Sequence, residues 1–120
     1  MGISVESLDC SKYNFSNNIK KKICDFIKVK KIDLIHSFGI WPDYYTLGIK
    51  IPVIVSVRNY PFHEYPRLYN FFLGHLIALI HLFIIKKHNK FVVCSTALYY
   101  IYEENHSLKP IIIQNGINTE

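Results

Sequence analysis

The chain has 120 residues, half of them hydrophobic and 15% aromatic, and a formal charge of +5. That length allows one domain at most, and that apolar content supports a real core, which excludes a disordered chain. The charge excess is too diffuse to imply nucleic acid, because Lys20-Lys21-Lys22 and Lys86-Lys87 fall at helix-like or loop positions with no aromatic interleaving. Cys10, Cys24 and Cys94 are odd in number and widely spaced, which excludes a closed disulfide framework and zinc-type spacing. They read as small, buried or half-buried thiols in a reducing cytosol. The opening Met1-Gly2-Ile3-Ser4-Val5-Glu6 lacks the basic-then-apolar pattern of a signal peptide, and Glu6 stands where a myristoylation site wants Ser or Thr.

Residues 3–8 suit a short first strand. Ser16-Asn17-Asn18 offers helix caps, and Ile19, Ile23, Phe26 and Ile27 recur at helical spacing with lysines opposite, which predicts a helix to about Lys31. Residues 32–36 have strand length and character. Gly39 breaks that run, and Trp41-Pro42-Asp43 opens a shorter helix ending near Gly48. Residues 52–57 are dense in β-branched aliphatics and form the clearest strand.

Residues 58–66 hold Pro61, Pro66, Asn59, His63 and Glu64 and read as a loop. A long helix follows over 67–87, then a strand at 91–94. Ser95 or Thr96 caps a helix to about Asn105, and Pro110 introduces the last strand. Short apolar strands alternating with helices predict an α/β fold, a Rossmann-like parallel sheet of about four or five strands with helices on both faces. Ligands of such sheets bind beyond the carboxyl ends of the strands. The candidate binding residues are therefore His36, Ser37 and Gly39, Arg58 and Asn59, Ser95, and Asn115 and Gly116.

Residues 71–85 are apolar except for His75 and His81, a run shorter than the ~20 residues of a membrane span. Arg67, Asn70, Gly74, Ala78 and His81 form a narrow polar or small stripe along it. Burial within the domain or against a neighbour, docking onto a bilayer face, and a true span are the three readings. His75 and His81 lie six apart, not at the four-residue step of a helical metal pair, and no metal site is expected.

Asp33-Leu34-Ile35-His36-Ser37, the strand before Arg58-Asn59-Tyr60, Val92-Val93-Cys94-Ser95, and Ile112-Ile113-Gln114-Asn115-Gly116-Ile117-Asn118 together resemble the amino-terminal domain of family 4 retaining glycosyltransferases. The order and spacing agree over residues 32–118. Departures from the family pattern are Arg58-Asn59, where many members carry a His and others an Arg followed by Asp, and Asn118 in place of Asp. The early glycine-rich loop and the Glu-x7-Glu donor motif have no counterpart here.

The resemblance implies a GT-B architecture in which residues 1–120 are a partial acceptor-side domain, inactive alone. A carboxy-terminal domain, missing or separately encoded, would bind the nucleotide-sugar donor, and no other cofactor is implied. The acceptor would be a glycan or a lipid-linked molecule. The implied setting is cytoplasmic, peripheral at the inner membrane face. Arg58 would contact acceptor or phosphate oxygens, and His36 a sugar or acceptor group. His36 also makes sense as a satisfied strand-end group, Ser95 as a helix cap, and Asn115-Gly116 as a turn. Two alternatives stand beside this reading: a non-catalytic α/β module that binds a partner, and a small membrane-associated protein built on residues 71–85.

Overall fold

The computed structural model describes residues 2, 4–8, 17–88 and 90–116. Cys10, the Ser16 cap, and Ile117 and Asn118 of the terminal motif lie outside them. The chain divides into two compact units, Met1–Asp33 and Leu34–Glu120. In the first, α1 (Asn17–Lys30) carries the expected amphipathic pattern and buries Ile19. Lys31 takes a left-handed φ of 54° and Ile32 N–H returns to the Ile27 carbonyl, which ends the helix. Lys30 pairs with Glu6 at 2.7 Å. Residues 4–8 form no strand, since the one sheet among the described residues does not include them.

The second unit is a Rossmann-like α/β fold. Its four strands, β1 (Ile35–Phe38), β2 (Val53–Val57), β3 (Phe91–Val93) and β4 (Ile111–Ile112), are all parallel and lie in chain order. Each crossover carries helix: α2 (Ile40–Tyr45) follows β1, α3 (Pro61–Leu68) and α4 (Phe71–Lys87) follow β2, and α5 (Thr96–His106) follows β3. Parallel pairing brings every strand's carboxyl end to the same edge.

The core forms where α4 and α5 meet one sheet face. Val55, Val57, Phe91 and Val93 pack there against Leu82, Ile85, Leu98 and Tyr102. Each such side chain contributes about 1.5–3 kcal/mol on burial. β1 starts three residues later than the sequence pattern suggests. Its register is set by Ile35 opposite Val53, with Ile35 N–H bonded to the Pro52 carbonyl. It ends at Gly39, whose φ of 89° turns the chain into α2.

The region 58–87 departs most from expectation. The proposed loop shrinks to Arg58–Tyr60, since Pro61 starts α3 at its first turn, where the missing N–H costs nothing. The single long helix is two helices. Tyr69 closes α3 in extended conformation, and the Asn70 side chain accepts from Leu73 N–H to cap α4.

Gly74 is what lets the two helices pack. A Cβ there would stand 2.5 Å from Pro66 N and Cα and 2.6 Å from the Tyr65 carbonyl carbon. The small stripe of Gly74, Ala78 and His81 is therefore the inner face of α4. The outer face holds Phe72, Leu76, Leu79, Ile80 and Phe83, with Phe72 85% and Phe83 61% exposed. Among the described residues no helix is long and apolar enough to cross a membrane.

Candidate functional site

Beneath the β1 end lies a fully buried carboxylate, Asp43 on α2 (0% exposed). Ser37 Oγ donates to its Oδ1 at 2.6 Å, and His81 Nε2 donates to its Oδ2 at 2.9 Å. A carboxylate only accepts, so Nε2 carries the hydrogen toward Asp43, and Nδ1 lies 2.7 Å from the Tyr65 hydroxyl. Burial, with smaller help from the Glu64 and Asp43 charges, raises the Tyr65 pKa far above the usual phenol value and keeps that hydroxyl a donor. His88 Nε2 bonds the Asp43 carbonyl oxygen at 2.7 Å. This network ties β1, α2, α3 and α4 together. The side-chain oxygens and nitrogens of Ser37, Asp43, His81 and Tyr65 all have protein partners.

The carboxyl edge of the sheet is different. Three clefts open there, and Arg58, the residue after β2, lines all three. The first, about 470 Å3, lies between Arg58, Asn59 and Tyr60 on one side, His63, Glu64 and Arg67 of α3, and Ser95 and Leu98 at the start of α5. The second, about 250 Å3, runs from Gly39 and Phe38 past Arg58 and Asn59 to Tyr65 and His81. The third, about 300 Å3, follows the sheet from His36 and Ser56 past Arg58 to Asn115 and Gly116.

Arg58 and Arg67 are exposed, and neither has an ion-pair partner among the described residues. The Arg58 guanidinium sits 5.1 Å from the Phe38 ring, a cation–π contact that orients it. Cys94 Sγ approaches the Arg58 carbonyl oxygen at 3.5 Å. Ser95 Oγ accepts from Leu98 N–H at 3.2 Å, which caps α5 and leaves the hydroxyl hydrogen directed by its surroundings. His36 Nε2 lies 2.6 Å from Ser56 Oγ on the neighbouring strand. The Tyr60 hydroxyl is 2.8 Å from His106 Nε2, and burial, then the Lys86 charge, lowers the His106 pKa.

Arg58 thus joins Asn59 and Ser95 in one cleft, Gly39 in a second, and His36, Asn115 and Gly116 in a third. Ser37 is not among them. It points to the core side of β1, 3% exposed, with its hydroxyl committed to Asp43. The sequence reading missed Arg67, Glu64 and His63 as a group, because their common face exists only once 61–68 is helical. It also missed the Asp43–His81–Tyr65 network, whose members are up to 38 residues apart. Among the described residues no group of three His, Cys, Asp or Glu side chains is arranged to hold a metal ion. Cys24 and Cys94 are free, half-buried thiols.

Comparison with protein-family models, with curated proteins and with solved structures yields no match.

Proposed function

We propose that this chain is the acceptor-side half of a glycosyltransferase that moves a sugar from a nucleotide donor to a glycan or lipid-linked acceptor. The observation that carries the proposal is the convergence of three clefts on Arg58 at the carboxyl edge of a parallel sheet. Around it stand hydrogen-bonding groups suited to sugar hydroxyls: Asn59, His63, Glu64 and Ser95 in the largest cleft, and His36, Ser56 and Asn115 in the groove beside it. Glycosyl transfer needs donors aimed at the charge that develops on the departing diphosphate, and a guanidinium at this edge supplies five. The donor itself would bind a second α/β domain facing this edge, so the chain by itself should bind acceptor without turning it over.

Saturation-transfer NMR with a panel of mono- and disaccharides tests the reading. Binding that Arg58→Ala abolishes supports it. Binding insensitive to Arg58, or turnover of a nucleotide sugar by the isolated chain, contradicts it. A non-catalytic partner-binding module would show no carbohydrate dependence at all.

The outer face of α4 favours a further feature of the same protein, attachment to an anionic membrane surface. Its large apolar side chains have no cover within the unit, the helix has no acidic residue in its first turn, and Lys86 and Lys87 close its last turn. Lys87 Nζ lies 5.2 Å from the Phe83 ring, so charge and apolar surface are contiguous. Exposed apolar side chains flanked by lysines suit the headgroup boundary of an anionic membrane, and the helix is too short to span one. Sedimentation with phosphatidylglycerol vesicles should carry the chain down, and Phe72→Glu with Phe83→Glu should leave it in the supernatant. Equal binding to neutral phosphatidylcholine, or a stable dimer in place of vesicle binding, would contradict attachment by this route.

A further inference from the structure

The largest cleft has an imbalance that an uncharged sugar does not resolve. Two guanidinium groups, Arg58 from the end of β2 and Arg67 from α3, share it with one carboxylate, Glu64. None of the three forms an ion pair among the described residues. Elsewhere in this unit the buried carboxylate is fully matched: Asp43 holds hydrogen bonds on both oxygens. The cleft therefore keeps about one uncompensated positive charge in a concave, solvent-open site, whose walls focus the field on an incoming anion.

Its hydrogen-bonding complement leans the same way. Arg58 and Arg67 only donate, Asn59 offers an amide NH2, and the Ser95 hydroxyl, already accepting from Leu98 N–H, retains its own hydrogen to give. Glu64 is the lining's one anionic acceptor. A sugar hydroxyl wants donors and acceptors in similar number, whereas a phosphoryl group wants donors only and matches the guanidinium fork in two-bond contacts.

From this we infer that the largest cleft recognises a phosphoryl group on the acceptor, held between Arg58 and Arg67 with Ser95 and Asn59 completing its hydrogen bonds. The inference rests on the acceptor reading above and narrows it to phosphorylated acceptors. Glu64 would face a sugar hydroxyl next to the phosphoryl group and would weaken the anion's hold. Leu68 lines the cleft beside Arg67, and exposed Tyr69, Phe71 and Phe72 follow it closely in the chain. A lipid-linked phosphate would find apolar surface there, and a free sugar phosphate would leave it bare.

Isothermal titration calorimetry on the full chain tests this, with pyrophosphate, glucose 1-phosphate, farnesyl diphosphate and glucose as probes. Pyrophosphate should bind in the millimolar range or tighter, and Arg58→Gln and Arg67→Gln should each weaken it about ten-fold. Glu64→Gln should tighten it several-fold, a gain that a merely structural role for Glu64 does not produce. Both arginines are exposed, so unchanged circular dichroism in the variants separates lost binding from lost folding. Farnesyl diphosphate binding more tightly than pyrophosphate identifies a lipid-linked source, and glucose 1-phosphate binding more tightly than farnesyl diphosphate identifies a sugar phosphate. Either order supports the inference.

No heat with pyrophosphate at about 10 mM, or affinity unchanged in both arginine variants, overturns it. Glucose binding as well as glucose 1-phosphate also overturns it while leaving the acceptor reading intact. Phosphate binding without any sugar dependence in the saturation-transfer experiment leaves the phosphoryl site standing and removes the acceptor reading.

Discussion

Two polar clusters lie close together in the second unit, and they are built on opposite terms. In the Ser37–Asp43–His81–Tyr65 cluster every polar atom has a protein partner and almost nothing reaches solvent. In the Arg58–Glu64–Arg67–Ser95 cleft the charges face solvent and form no ion pair among the described residues. A buried polar group with its partners complete is part of the scaffold, because removing one member strands the others. An unpaired charge in a concave site costs little to keep in water and has its bonding capacity free for a ligand. The first cluster shapes the second: Tyr65 of the buried network and Glu64 and Arg67 of the cleft ride on the same short helix, α3.

The comparison predicts stability losses on one side and binding losses on the other. The largest effect belongs to Asp43→Ala, which leaves Ser37 and His81 buried without their acceptor. Urea denaturation should register a loss of about 3–5 kcal/mol. A loss under 1 kcal/mol would mean that the network is not structural. Gly74→Ala comes next. Its Cβ would press on the backbone of Pro66 and Tyr65, which cannot yield as a side-chain tip can, and a loss of about 2–3 kcal/mol is expected in the same measurement.

A smaller effect is a pH dependence at His106. Tyr60, Phe62 and Tyr102 surround its ring, and burial and Lys86 lower its pKa in the folded chain. As pH falls, the unfolded chain takes up that proton first. Its contribution is therefore lost progressively below about pH 6.5, the unfolded value, and levels off below the folded value. His106→Gln should flatten that part of the stability profile, and an unchanged profile would show that the histidine is not desolvated. Smallest of all is the effect of Arg58→Gln or Arg67→Gln on folding, within about 1 kcal/mol, since neither side chain has an ion pair among the described residues and Arg58 gives up only its exposed contact with the Phe38 ring. A loss of 2 kcal/mol or so from either would place the arginines on the scaffold side of the comparison.

How far the sequence carried depended on whether the information was local. α1, β2, β3 and α5 follow from periodicity, β-branched density and the Ser95 cap, all contained within a few residues. α3 was hidden because two prolines within eight residues ordinarily mark a loop, and Tyr65 precedes one of them. Packing overrode that preference through the notch at Gly74, 8 residues beyond Pro66 in the chain. The stripe of Gly74, Ala78 and His81 was visible in the sequence, but its orientation was not. An apolar helix usually buries its largest side chains. Helix α4 does so only in its second half, through Leu82, Ile84 and Ile85, while its first half turns Gly74 and Ala78 inward and the phenylalanines point out. For the site, the strand-end residues were legible from topology alone. Arg67 and Glu64 required α3, and Ser37 required knowing which way β1 faces.

The division between scaffold and site can be read in one experiment, a 1H–15N NMR titration of the chain with a phosphorylated sugar acceptor such as glucose 1-phosphate. The account predicts saturable shifts at Arg58, Asn59, Arg67 and Ser95, with the Arg58 and Arg67 side-chain Nε–H signals moving most and Ser37, Asp43 and His81 holding still. Shifts centred on Ser37 and His81 with the arginine signals unmoved would contradict it.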